Sequence, residues 1–326
     1  QMQKPIALSL NCTIPTLLTK PNSFKFFQIL NSEKADKHCM PFHYLILHLL
    51  QTIPMSFQNK TILITGASRG IGKAIGLRLA KEGANIVIAS KSVEENPKLG
   101  GTIYTAAAEM EAAGGKALAV QCDIRFEDQV QLVVDKAVEQ FGGIDMLINN
   151  ASAINLNNTE QMEPKRFDLM YDINVRGTFM VSKACIPYLK KSTNAHILNL
   201  SPPLNMDMKW FANHLAYTIS KYDMTMIALG LSAELKKYNV AANTLWPRTT
   251  IATAAVQNLL GGDALINMSR KPEIMADAAY YILSKPSADC TGNSFIDEAV
   301  LAAEGITDLS SYSVMPGAPL YNDLFI

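Results

Sequence analysis

The sequence predicts an α/β fold: a doubly wound parallel sheet of about seven strands in a single domain. Three observations carry that prediction. Short apolar runs rich in β-branched residues recur between residues 61 and 297. Longer segments of helical spacing separate nearly all of them, which implies crossover connections and helices on both faces of the sheet. No internal repeat or low-complexity linker divides the chain. The 326 residues are 48% hydrophobic, enough for one large core or at most two domains.

Residues 1–54 stand apart from this pattern. They start at Gln1, contain no Arg and mix Pro, Asn, Ser and Thr with short apolar patches. FHYLILHLL (42–50) falls short of the roughly 20 residues that span a bilayer. Asn11-Cys12-Thr13 matches a glycosylation acceptor, a pattern frequent by chance. The absence of Arg argues against a mitochondrial presequence. The expectation is a leader outside the fold, disordered or foreign to the natural protein, with Met55 as the natural start.

From Met55 the elements follow in order. TILIT (61–65) is a buried strand, and TGASRGIG (65–72) turns it into a helix, KAIGLRLAKEGA, with Ala74, Ile75, Leu77, Leu79 and Ala80 at helical spacing. Gly66, Gly70 and Gly72 let a backbone approach a pyrophosphate, and the helix start behind them offers free N–H groups. The plain alternative is an ordinary strand–turn–helix junction, since the spacing is G-x-x-x-G-x-G and not G-x-G-x-x-G. NIVIAS (85–90) is the second strand. After it, where an NAD site would carry an acid for the ribose 2′-OH, stands Lys91, with no acid before Glu94. Arg69 is a second cation on the same side. Two cations without a carboxylate fit a 2′-phosphate, hence NADP, against the alternative of two solvated surface charges.

ALAVQC (117–122) leads to Asp123, which either accepts from an adenine amino group or caps the next helix. DMLIN (145–149) leads to Asn149-Asn150-Ala151-Ser152, where amide side chains can tie strands together beside a ligand. AHILNL (195–200) precedes AYTISKY (216–222), whose Tyr217 and Lys221 share one helix face. An ammonium there would bring the phenol, ordinarily near pKa 10, toward the working range. VAANTL (240–245) and NSFID (293–297) complete the sheet, and residues 301–326 form a C-terminal tail. Lys and Arg total 29 and Asp and Glu 29, so net charge gives no reason to expect nucleic acid or an anionic membrane. Five scattered cysteines without CxxC or CxH pairing argue against a disulfide framework or a zinc site, and no other metal is expected.

TGASRGIG, NNAS, Asn174 within INVRG and the Tyr217/Lys221 pair together resemble the short-chain dehydrogenase/reductase superfamily over nearly all of 55–300. The resemblance implies a Rossmann-type fold, an NADP cofactor and a homo-oligomer. It makes Tyr217 the proton acceptor and donor, places Lys221 on the nicotinamide ribose, and has Asn174 position Lys221 through a water. Around the cofactor it sets Gly66, Ala67, Ser68, Arg69, Gly70, Ile71 and Gly72 of the turn, with Lys91, Asp123 and Asn150. Likeness of NPKLGGTIYTAA, LNLSPPLN and TGNSFIDE to one branch of the superfamily implies a lipid-like substrate (steroid, fatty-acyl or similar). It also implies a peroxisomal or mitochondrial setting, with the cytoplasm otherwise.

Three departures qualify the resemblance. Pro202 occupies the position where the superfamily usually has a catalytic Ser, leaving Ser201, sixteen residues before Tyr217, to polarise a substrate carbonyl. Pro247-Arg248 replaces Pro-Gly and puts a cation near the cofactor mouth. That branch also carries a sterol-carrier-type lipid domain, whose linker would start near Ile326, so a short form or a fragment is expected. The leading functional expectation is an NADP(H)-dependent oxidoreductase interconverting a secondary alcohol and a carbonyl. The alternative is a catalytically weak NADP-binding scaffold or sensor.

Overall fold

The computed structural model describes residues 56–97 and 99–326, so the expectations for residues 1–54 lie outside the described residues. Seven strands, all parallel, form one sheet: β1 (Thr61–Thr65), β2 (Asn85–Ser90), β3 (Lys116–Gln121), β4 (Met146–Asn149), β5 (Ala195–Asn199), β6 (Val240–Trp246) and β7 (Ser294–Ile296). Their order is β3-β2-β1-β4-β5-β6-β7. The strand bounds follow the sequence reading to within a residue; Asp297, expected in the last strand, instead opens a helix.

The helices are α1 (Gly70–Ala80), α2 (Ile103–Ala112), α3 (Glu127–Phe141), α4 (Pro164–Met170), α5 (Thr178–Leu189), α6 (Lys209–Ala212), α7 (Leu215–Glu234), α8 (Gly262–Asn267), α9 (Glu273–Ser284) and α10 (Asp297–Ala303). A π-helical segment, Tyr171–Gly177, joins α4 to α5. Every residue of β1, β2, β4, β5 and β6 is buried, as expected for parallel strands covered on both faces. Side-chain alternation sorts them into two cores. Ile62, Ile64, Ile86 and Ile88 pack with Ile75 of α1 and Ile274 and Ile282 of α9, while Leu63, Val87, Leu147 and Ile197 pack with Val133 of α3, Val181 of α5 and Leu231 of α7.

Strand order reverses between β1 and β4, so the helices after them leave toward opposite faces and a crevice opens at the strand carboxyl ends. A buried amide ladder fixes the far side of that crevice. Asn149 Nδ2 donates to Ser182 Oγ (3.0 Å) and to Asn199 Oδ1 (2.9 Å), and Asn199 Nδ2 donates to the Met224 carbonyl (2.9 Å). It links β4, β5, α5 and α7 through groups that would be costly to leave unpaired. No described helix is long and apolar enough to cross a membrane.

Asn199→Ala removes both links at once, so that the Asn149 amide and the Met224 carbonyl each lose a buried hydrogen-bond partner. We expect a loss of about 1–3 kcal/mol in unfolding free energy, read from the urea midpoint at unchanged slope. An unchanged midpoint would show that the ladder contributes nothing to stability.

Candidate active site

The turn after β1 is built from opposing demands on backbone and side chain. Gly66 (φ +70°) and Gly70 (φ +57°) lie in the left-handed region, and a Cβ on Gly66 would stand 3.0 Å from the Ala151 Cα. Gly72 has a different reason: its Cβ would meet Asn150 Nδ2 at 2.4 Å. That amide donates to the carbonyls of Thr65 (2.8 Å) and Gly66 (3.1 Å), while Thr65 Oγ1 accepts from the backbone N–H groups of Asn150 and Ala151, both at 3.0 Å. The carboxyl ends of β1 and β4 are thereby tied. No side chain caps the start of α1 and no acid sits in its first turn, so its leading N–H groups are free for an anion.

A cavity of about 830 Å³ runs along these strand ends, within the range of small-molecule and cofactor sites. At one end its walls include Gly66, Ser68, Arg69, Gly70 and Ile71, with Lys91, Asp123 and Asn150; at the other lie Tyr217 and Lys221. Ala67, Gly72, Asn174 and Ser201 do not line it. The turn, the uncapped helix start and the elongated cavity fit a dinucleotide.

The charged residues at the first end are arranged unequally. Lys91 is exposed. Arg69 donates from Nε to the Gly100 carbonyl (2.8 Å) and from Nη2 to the Gly101 carbonyl (2.9 Å), and pairs with no carboxylate among the described residues. Burial lowers its pKa. Asp123 is held by Arg125, whose Nε reaches both carboxylate oxygens (2.9 and 3.1 Å) and whose Nη2 reaches Oδ2 (2.6 Å). Those bonds hold its carboxyl below the usual range. The capping alternative for Asp123 does not hold, because α3 starts at Glu127 with Phe126 at its N-cap.

At the second end α7 supplies two buried titratable side chains. Tyr217 is 5% and Lys221 2% exposed. Lys221 Nζ donates to the Leu200 carbonyl (2.6 Å) and lies 5.1 Å from the centre of the Trp246 ring. Burial lowers the ammonium's pKa, opposed by the charge of Asp323. Burial also raises the pKa of the Tyr217 phenol, and Asp323 raises it further. The expected lowering by Lys221 is therefore absent: desolvation outweighs an ammonium whose own charge is disfavoured and whose hydrogen bond goes to a carbonyl.

Asn174, fully buried in the π-helical segment, accepts from Ala153 N (2.8 Å) and Ser152 Oγ (3.1 Å) and donates to the Ala153 carbonyl (2.9 Å) and Ser220 Oγ (3.1 Å). It fixes α7 one residue before Lys221 without bonding Lys221 itself. Ser201 is fully buried and its Oγ accepts from Thr225 Oγ1 (2.9 Å), which also faces the Pro202 carbonyl (2.7 Å). The Arg248 side chain is exposed and is not a wall of the cavity, although the preceding Pro247 is. The sequence reading passed over Trp246, Asp323 and Leu324, all of which line the cavity. YNDLFI (321–326) has no period and no motif that would have marked them.

The family model described as short chain dehydrogenase matches residues 60–262. The chain is 60% identical over 266 residues to hydroxysteroid dehydrogenase-like protein 2 of Xenopus tropicalis and 56% identical over 266 residues to the protein of that name in Homo sapiens. The match covers 82% of this chain and 63% of each relative, so the chain spans less than two thirds of their length. A crystal structure of a short chain dehydrogenase from Mycobacterium thermoresistibile superposes with a TM-score of 0.79 at 55% identity, covering 83% of this chain and 96% of that one.

Gly72→Ala drives a methyl group into the Asn150 amide and should destabilise the fold by about 1–3 kcal/mol. Gly143→Ala, where an added Cβ meets nothing within 4 Å, is the control. Equal melting temperatures for the two variants would show that Asn150 moves aside without loss.

Proposed function

The chain belongs to the short-chain dehydrogenase family, and on that premise we propose that it interconverts a secondary alcohol and a carbonyl on a lipid-like molecule with NADP(H). The observation that carries this reading is the placement of Tyr217 and Lys221 on one face of α7, at the cavity end remote from the phosphate-binding turn. The nicotinamide, when bound, supplies or takes up the hydride. Tyr217 exchanges the proton with the substrate oxygen, and a phenol kept protonated by burial suits the carbonyl-reducing direction. Lys221 holds the ribose. The walls near Tyr217 include Ile154, Leu156, Trp246 and Leu324, and this apolar surface supports a lipid-like substrate.

Arg69 and Lys91 support NADP over NAD. Both line the cavity beyond β1 and β2, and no acid follows β2 before Glu94. A second reading, a cofactor-binding scaffold with little turnover, is favoured by one observation: Ser201 is engaged by Thr225 and stands outside the cavity wall.

Lys91→Asp should weaken NADPH by at least tenfold and leave NADH unchanged or tighter, since a charge-assisted contact contributes about 1.5–3 kcal/mol. Fluorescence titration of both cofactors checks this, and equal wild-type affinities would remove the NADP assignment.

Turnover decides between enzyme and scaffold. Tested with NADPH on fatty-acyl, steroid and retinoid carbonyls, Tyr217→Phe should reduce kcat by about 10²–10⁴-fold with cofactor affinity nearly unchanged. A wild-type protein that reduces none of them establishes the scaffold.

A further inference from the structure

Residues 321–326 form a strap along the segment that leaves β6. Thr250 N donates to the Tyr321 carbonyl (2.9 Å), Asp323 N to the Arg248 carbonyl (3.1 Å) and Trp246 Nε1 to the Leu324 carbonyl (2.9 Å). Phe325 pins it. Its ring, 1% exposed, sits among Tyr222 (5.3 Å between centroids), Trp210 (5.6 Å), Trp246 (5.9 Å), His214 (6.2 Å) and Tyr217 (6.2 Å). Phe325 adopts φ +73°, a conformation that a bulky residue keeps only when its surroundings over-determine it. The pinned ring therefore sets where the two preceding residues point.

Those residues, Asp323 and Leu324, join Tyr217 and Lys221 in the cavity wall. Asp323 Oδ1 accepts from Leu324 N (2.7 Å), and Oδ2 accepts no hydrogen bond among the described residues. The charged and titratable groups coupled electrostatically to this carboxyl are Tyr217 and Lys221 on α7, which share its cavity wall, and Asp297 at the start of α10, while the Arg248 side chain is exposed. Asp297 Oδ1 accepts from the backbone N–H of Arg248 (2.8 Å), the residue whose carbonyl takes the Asp323 N–H. Burial, reinforced by Asp297 and opposed by the Leu324 N–H and by Lys221, pushes the Asp323 carboxyl well above the usual carboxylate range. In its protonated form a carboxyl facing this cavity is a hydrogen-bond donor.

Resting on the carbonyl-reducing reading, we propose that Asp323 is a second hydrogen-bond donor to the substrate oxygen, beside Tyr217 and in place of a hydroxyl that Ser201 does not present. As the carbonyl carbon takes the hydride, its π electrons move onto oxygen, which takes the Tyr217 proton. Asp323 keeps its own proton and hydrogen-bonds to the developing oxyanion. Thr225 holds Ser201 away from this task.

The test combines a titration with kinetics. In cofactor-free protein, infrared difference spectra across the neutral range should show a carboxylic acid C=O stretch that disappears in Asp323→Asn and persists in Asp297→Asn. With NADPH and whichever panel carbonyl the wild type reduces, Asp323→Ala should lower kcat by about 10²-fold, as removal of an oxyanion donor does. Asp323→Asn, which keeps an N–H donor, should stay within about tenfold of wild type. Melting temperature and NADPH affinity should match wild type in both variants. A wild-type spectrum without that band overturns the proposal, as does an Asp323→Ala enzyme with full kcat or an Asp323→Asn enzyme as slow as the alanine variant. A wild type inert on every carbonyl overturns instead the reading on which the proposal rests.

Discussion

The reversal of strand order at β1 and β4 is the constraint from which the site follows. It leaves two strand ends side by side with nothing between them, and it persists only if those ends are held. Asn150 holds them through the Thr65 and Gly66 carbonyls, and its amide has room only because residue 72 lacks a Cβ. The glycines of the turn therefore act by two mechanisms. Gly66 and Gly70 supply a left-handed backbone, whereas Gly72 supplies space. Once the ends are tied, the uncapped start of α1 lies at the crevice, where its leading N–H groups meet no capping side chain.

The opposite end depends on α7, and α7 depends on buried hydrogen bonds. Asn174 grips Ser220, Asn199 grips the Met224 carbonyl, and Thr225 meets Ser201 and Pro202. These contacts flank Lys221 on the helix and fix its depth, so that its ammonium reaches the Leu200 carbonyl with almost no solvent contact. Such depth has an electrostatic consequence. Burial disfavours the charged form of Lys221, Tyr217 and Asp323 alike, and the three share one low-dielectric pocket where each charge alters the others. For the phenol, burial and Asp323 act in the same direction, against ionisation.

Much of this was legible in the sequence, for identifiable reasons. Strands covered on both faces must be apolar throughout, so TILIT and NIVIAS could be placed from composition alone. Tyr217 and Lys221 are four residues apart on one helix, so their partnership is encoded locally. What escaped depends on contacts between distant residues or on a choice of side-chain direction. Ser201 could have faced either way, and its Thr225 partner lies on another element. Asp123 was left open between adenine and cap because the competing claim of Arg125 is a matter of rotamer. The strap was invisible because Asp323 meets Arg248 across a long stretch of chain, and YNDLFI has no period by which to place it.

The cavity thus has two ends of opposite character, each set by a different part of the chain. The first is cationic: Lys91 and Arg69 line it, and Asp123, which shares that wall, is paired with Arg125. Charge of that sign attracts anionic groups. The second end is apolar, and it encloses a buried phenol, ammonium and carboxyl beside Trp246 and Leu324. A ligand there must suit both the apolar wall and those buried polar groups, of which Lys221 already bonds the Leu200 carbonyl. The two selections are physically separable, because the first is made by β1, β2 and the turn after β1. The second is made by α7 together with a strap from the far end of the chain. Changes in the strap can therefore alter the surroundings of Tyr217 while the turn after β1, held by Asn150, stays as it is.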